Sequence, residues 1–254
     1  MKSVYIFKNN SLNFINTLFK HIVYNYILIA ICATAMSFQT DIVINTLHIK
    51  LAYYGFIFFA TLFSYHLYYL KNKDNYWHII YSILASTCAL FFLFKLNIQS
   101  YSILLFIVIL SISYLFISLF NLKNKWISIY KLITLSVVWF ITTSILPLAS
   151  LNSINQHPFF FIHQFMFIFL ICFHFYIRDE VGKDFISTFK LIAIFINIAL
   201  IVLSLFVPAW LFANIVFFLI NIYIYKKKCS NLFYFLLLDG MLLLQTIFVV
   251  LLQF

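Results

Sequence analysis

The stretch VLSLFVPAWLF, residues 202–212, decides how many helices this chain has. It sits in the middle of the apolar run 187–226, carries no charge, and is interrupted only by Pro208. A proline in a helix interior removes one backbone hydrogen bond and kinks the helix, whereas a proline in the first turn starts one. A helix crossing a hydrocarbon core of about 30 Å needs about 20 apolar residues at 1.5 Å each, so the whole run is too long for one crossing even with tilt. Pro208 therefore reads as a turn, with one helix near 187–207 and the next near 209–226.

Working outward, seven further segments have the length and apolar content of a spanning helix: 16–38, 49–70, 77–95, 101–120, 128–149, 158–177 and 232–252. The chain is 65% hydrophobic with a mean hydropathy of +1.07, well beyond the 45 to 50% or so of soluble domains. Long, non-alternating apolar runs are helices and not barrel strands, because in lipid the backbone must satisfy itself. The expected fold class is all-α, a polytopic bundle of about nine membrane helices forming a single domain over 1–254.

Charge supports nine helices over eight. Of the sixteen Lys and Arg residues, fourteen fall at the N-terminus and in the second, fourth, sixth and eighth connections; only Lys50 and Lys95 fall on the other side. That bias predicts a cytoplasmic N-terminus and an external C-terminus. Were Pro208 only a kink, Lys226, Lys227 and Lys228 would land outside. The net charge of +10 is thus matched to anionic headgroups, and no nucleic-acid partner is expected. Ala33-Thr34-Ala35 imitates a signal-peptidase site, but the polar segment before the first apolar run predicts an uncleaved first helix. Cys32, Cys88, Cys172 and Cys229 are scattered without a C-x-x-C, and three lie in apolar runs, the pattern of small core residues and not of a disulfide framework.

Against this background FHFYIRDEVGKD, residues 173–184, stands out: Asp179, Glu180 and Asp184 are half of the six acidic residues, set beside Arg178 and Lys183. With KNKDN at 71–75, which holds Asp74, it forms one of two mixed-charge loops expected on the cytoplasmic side. From the residues alone, 177–184 reads either as a solvated, self-neutralising loop or as a phosphate and metal site. Asp239, in FLLLDGMLLLQ, is an acid within the last span, where burial is costly enough to favour function or a buried partner. Lys20, His21, His66 and His174 are its candidate partners. His163 and His174, eleven residues apart, share a helix face, and His174 with Arg178 one turn away could line a pocket mouth.

The nine-helix plan with polar clusters after helices 2 and 6 resembles the UbiA superfamily of intramembrane prenyltransferases. The likeness covers most of the chain. Its best local match is Arg178-Asp179 with an acid downstream, similar to that family's second aspartate-rich motif; FFATLFSY at 58–65 and VVWFITTSILP at 137–147 also resemble divergent bacterial members. Two departures are plain. The first family motif, laid on YHLYYLKNKD, puts His66, Leu67, Leu70 and Asp74 at its four polar positions, and Lys183 stands where the second motif has its second Asp.

The resemblance implies transfer of an isoprenyl group from a prenyl diphosphate to a lipophilic acceptor, with Mg2+ as cofactor, in a bacterial inner (plasma) membrane. It assigns Asp179, Asp184 and Asp74 to the metal, and Arg178, Lys183, His66 and His174 to the diphosphate. Two other classes stay open: a catalytically inactive relative that binds a prenyl lipid or a membrane partner, and a small proton-coupled transporter using Asp239.

Overall fold

The computed structural model describes residues 26–44, 50–69, 76–119, 125–149, 157–180, 186–206, 208–226 and 231–253, with some side chains at helix ends, Arg178 to Glu180 among them, outside that description. Every regular element among these residues is helical. Nine α-helices follow in order: α1 Ile27–Val43, α2 Leu51–Tyr69, α3 Tyr76–Leu93, α4 Ile98–Leu119, α5 Lys125–Phe140, α6 Pro158–Glu180, α7 Ile186–Ser204, α8 Pro208–Lys226 and α9 Asn231–Gln253.

The Pro208 question is answered by hydrogen bonds. The Asn214 amide donates back to the Leu200 carbonyl at 3.2 Å, and the Asn221 amide donates to Asn197 Oδ1 at 3.1 Å. Contacts that diverge in sequence away from Pro208 are the signature of an antiparallel pair, so α7 and α8 are two helices running in opposite directions and Pro208 opens α8.

Other pairs fix direction as well. His163 bonds Asn214 and His174 bonds Tyr225, both 51 residues apart, so α6 and α8 run parallel on either side of α7. Cys32 bonds Asp239 and Thr246 bonds Gln39, both 207 residues apart, so the first and last helices also lie parallel and in contact.

Helix α6 forms the axis of the bundle. The main core joins its residues Phe167, Leu170, Phe173 and Ile177 to Cys32 and Met36 of α1, Leu132 of α5, Leu200 of α7, Phe217 of α8 and Leu238 of α9. Among the described residues four helices are long and apolar enough to cross a membrane: Tyr76–Leu93, Ile98–Ile117, Trp126–Leu148 and Pro158–Ile177. Their burial separates their roles, since 67% of the α6 window is inside the protein against 11% of the α4 window. Helix α4, with Leu105, Phe106, Ile109 and Ile112 exposed, has the outward apolar face of a helix meeting lipid. Helix α2 carries Tyr53, Tyr54, Ser64, Tyr65 and His66 among its apolar residues.

Two local departures from the sequence expectation have clear causes. Helix α1 runs on to Val43, past the expected end at 38, because Gln39, Thr40 and Asp41 all find partners inside the bundle. Helix α5 passes into a π-helical turn, Ile141–Ile145, and a 3-10 turn, Leu146–Leu148. Pro147 has no N–H to offer the Thr143 carbonyl four residues earlier. The Thr40 hydroxyl of α1 takes that freed carbonyl at 3.1 Å.

Candidate functional site

Helices α2 and α6 deliver the two mixed-charge loops. Both end on the same side of the bundle, because α2 and α6 each run antiparallel to α1: Tyr54 bonds Asp41 while Tyr26 stacks on Tyr65, and Gln164 bonds Met36 while Ile171 and Cys172 lie beside Asp239, whose carbonyl Cys32 bonds. Asp74, Lys183 and Asp184, and the side chains of Arg178 and Asp179, lie outside the described residues.

Below these helix ends lies a small cavity of about 30 Å³, walled by Tyr65 of α2, Leu135 and Trp139 of α5, Ile168, Ile171, Cys172 and Phe175 of α6, and Asp239 and Leu242 of α9. The walls follow from helical spacing. Residues 168, 171 and 175 form one stripe of α6, 135 and 139 one stripe of α5, and 239 and 242 one stripe of α9, so three faces converge. Such a volume admits a water-sized group, with three aromatic rings at its edge.

Asp239 is the charged group of this wall. It is 4% exposed and roughly two turns into α9, as its place in an apolar run suggested. The Cys32 thiol donates to its backbone carbonyl at 3.1 Å. Of its candidate partners, Lys20 and His21 fall outside the described residues. His66 bonds His78, and His174 bonds Tyr225.

His66 faces α3, with its Nδ1 2.9 Å from Nδ1 of His78, so one ring donates and the other accepts. Tyr81 stacks on His66 and Tyr26 meets it edge-on, making an aromatic collar at the end of α2. His174 faces α8. Its Nδ1–H donates to the Leu170 carbonyl at 2.7 Å, which leaves Nε2 to accept from the Tyr225 hydroxyl at 2.8 Å. His163, two levels away, accepts at Nε2 from the Asn214 amide; that amide also donates to Leu200, which fixes its orientation and makes His163 the neutral Nδ1–H tautomer. Its ring lies flat on Trp210, centroids 4.0 Å apart. Among the described residues no three His, Cys, Asp or Glu side chains gather as a metal site.

Sequence reasoning overlooked a second acid. Asp41, 3% exposed, receives the Tyr54 hydroxyl at 2.6 Å on one oxygen and the Lys50 ammonium at 3.2 Å on the other. Lys50 also donates to the Pro147 carbonyl at 2.6 Å. This clasp joins α1, α2 and the 3-10 turn at the bundle end opposite the mixed-charge loops. The available signal was Lys50 itself, one of two basic residues on the wrong side of the charge bias. Both exceptions have local partners, since the Lys95 ammonium lies 4.2 Å over the Phe91 ring.

Between cavity and clasp the interior is polar. Ser37, Gln39, Ser144, Gln164 and Gln245 are fully buried, and each keeps at least one polar atom without a hydrogen bond. Each such atom costs about 1 to 3 kcal/mol, so this layer is a deliberate expense in the middle of an apolar bundle. Cys32 and Cys172 are free and buried, as expected of core residues.

No family model, no curated protein and no solved structure matches this chain.

Proposed function

We propose that this protein is an integral membrane prenyltransferase-like protein of the UbiA type, crossing the membrane nine times with its N-terminus in the cytoplasm. The observation that carries the proposal is the aromatic-edged cavity directly beneath the ends of α2 and α6, the two helices whose following loops hold the mixed charge. A diphosphate and its apolar chain need such an arrangement: a charged mouth at the membrane edge and a water-poor interior below it.

In this reading Asp179, with Asp74 and Asp184, would hold Mg2+, a hard cation suited to carboxylate and phosphate oxygen. The ion, when bound, neutralises diphosphate as a leaving group. Arg178 and Lys183 contact the diphosphate. Tyr65, Trp139 and Phe175 supply aromatic rings at the cavity, a surrounding that favours positive charge on the allylic group and keeps water away from it. An acceptor reaches the cavity from the lipid. The location that fits is a bacterial inner membrane.

A second reading, a relative that binds a prenyl lipid without transferring it, is favoured by Lys183 at a motif position. One titration separates the two. Purified protein is mixed with farnesyl or geranylgeranyl diphosphate, with and without magnesium, and its melting temperature followed. Magnesium-dependent stabilisation that disappears in Asp179→Ala is the expected result. Stabilisation by farnesol without metal supports the binding relative, and no response to any of these sinks both.

A further inference from the structure

The outward-facing tyrosines and tryptophans are not spread evenly over the bundle. Among the described residues they gather at the end where α2 and α6 finish, with Tyr68, Trp77, Trp126 and Tyr130 in the group, and only Tyr101 lies at the other end. That other end exposes Phe94, Ile98, Leu205 and Phe206 instead. Rings with an apolar body and a polar tip settle at the headgroup level of a bilayer.

The start of α5 is the most elaborated part of this band. Trp126 is 76% exposed, and Tyr130 follows it one turn on along the same face. The Ser113 hydroxyl of α4 spends its proton on the Leu110 carbonyl at 2.7 Å, so the Tyr130 hydroxyl, 2.9 Å away, donates to Ser113 and its ring is pinned against α4. Farther along, Leu104 and Ile107 of α4 share a cluster with Trp139 of α5, so the two helices lie side by side in opposite directions. Their exposed Ile109, Ile112 and Ile133 carry an apolar surface inward from Tyr130.

Lys131 stands next to Tyr130, about 9 Å along the axis from the first residue of α5, and is half-buried. The other lysine side chains described all have partners: Lys50 has Asp41, Lys95 the Phe91 ring and Lys190 the Tyr225 carbonyl. Among the described residues nothing meets the Lys131 ammonium.

We propose that the start of α5 seats the headgroup of an anionic phospholipid. The Lys131 stem rises along the helix to the level of Trp126 and Tyr130, where the ammonium meets the lipid phosphate, and the acyl chains lie past Ile133 and Ile109 on the α4–α5 face. Charge selects the class of lipid. An ammonium in an apolar helix gains most from a net negative headgroup, whereas a zwitterionic one brings its own cation beside the phosphate. The site is separate from diphosphate and metal, and it stands or falls without the transfer chemistry.

The test uses the full chain in nanodiscs of phosphatidylcholine, without magnesium or prenyl diphosphate. The probes are phosphatidylglycerol and phosphatidylcholine, each brominated high on its acyl chains, and the readout is quenching of Trp126. Its share of the fluorescence is the signal that Trp77→Phe retains and Trp77→Phe with Trp126→Phe loses. Brominated phosphatidylglycerol is expected to quench Trp126 at a lower mole fraction than brominated phosphatidylcholine. Lys131→Gln is expected to reduce that preference about fivefold, the effect of one lysine at an anionic surface, while Lys131→Arg keeps it. Lys190→Gln, which removes an ammonium already bonded, leaves it unchanged. Should Lys131→Gln fail to fold, the parent decides: a seat saturates at a low mole fraction of phosphatidylglycerol, whereas plain membrane contact grows in step with its share of the bilayer. Equal quenching by the two lipids, a preference that Lys131→Gln leaves in place, an equal loss in Lys190→Gln, or quenching that does not saturate overturns the proposal.

Discussion

Asp41 shows how much one side chain can organise. Its two oxygens and the second bond of Lys50 join three elements, and neither charge is fully open to water: the side chains of Lys50 and Asp41 are 17% and 4% exposed. Breaking such a pair is worse than lacking it, because the survivor is left buried with its charge. Asp41→Ala is expected to cost about 3 kcal/mol, the lower end for a buried pair because Lys50 keeps some exposure. Asp41→Asn with Lys50→Met together should cost less than the two singles summed, in a thermal unfolding cycle in detergent. The pair escaped sequence reasoning for a physical reason. Gln39-Thr40-Asp41 looks like a helix leaving the membrane, and the residues that make it a helix staying inside, Lys50, Tyr54, Thr143 and Thr246, are spread over three other segments. Asp239 was legible because a lone carboxylate among leucines needs no partner list to attract notice.

At the scale of helices, irregularity is placed by single residues. Pro147 frees the Thr143 carbonyl, and Thr40 claims it. Pro147→Ala returns an N–H to that position, so the backbone can close its own bond and the π-helical turn is expected to relax toward regular α-helix. Hydrogen exchange at 141–148 should slow, while the Lys50 contact to residue 147 weakens. Gly55 plays a different part. A Cβ there would lie 2.7 Å from the Phe92 ring, so α2 and α3 approach more closely than any larger residue allows. Gly55→Ala is expected to lower stability by about 1 kcal/mol through overpacking, and Phe92→Leu in the same chain to recover part of it, read as melting temperatures. Of the elements, the nine apolar runs and the Pro208 turn were readable from length, hydropathy and charge. The π-helical turn was not, because it depends on which neighbour takes a carbonyl.

For the whole molecule, the parallel pairing of α1 with α9 and of α6 with α8 is what directions alternating along the chain would produce. If each helix crosses the bilayer, an odd number of crossings sets the two termini on opposite faces. Reporter fusions should then be active in the cytoplasm at the N-terminus and outside at the C-terminus; reporters active on the same side would remove the nine-crossing reading. The sequence exposed Asp179 and its neighbours through charge alone, and it exposed the cavity not at all. A cavity exists only where stripes from three helices and a ring from a fourth meet, and no single run of residues carries that information.

The contact between first and last helices also has a consequence in time. During synthesis α1 emerges with Gln39, Thr40 and Asp41 facing what will become the interior, but the Thr246 hydroxyl that meets Gln39 is made last. Until α9 packs against α1, part of the polar side of α1 faces an unfinished wall. The final helix is thus the one that completes the bundle, and a nascent chain stopped before residue 231 presents its polar seam to the membrane's quality-control proteases, however well its first eight helices have formed.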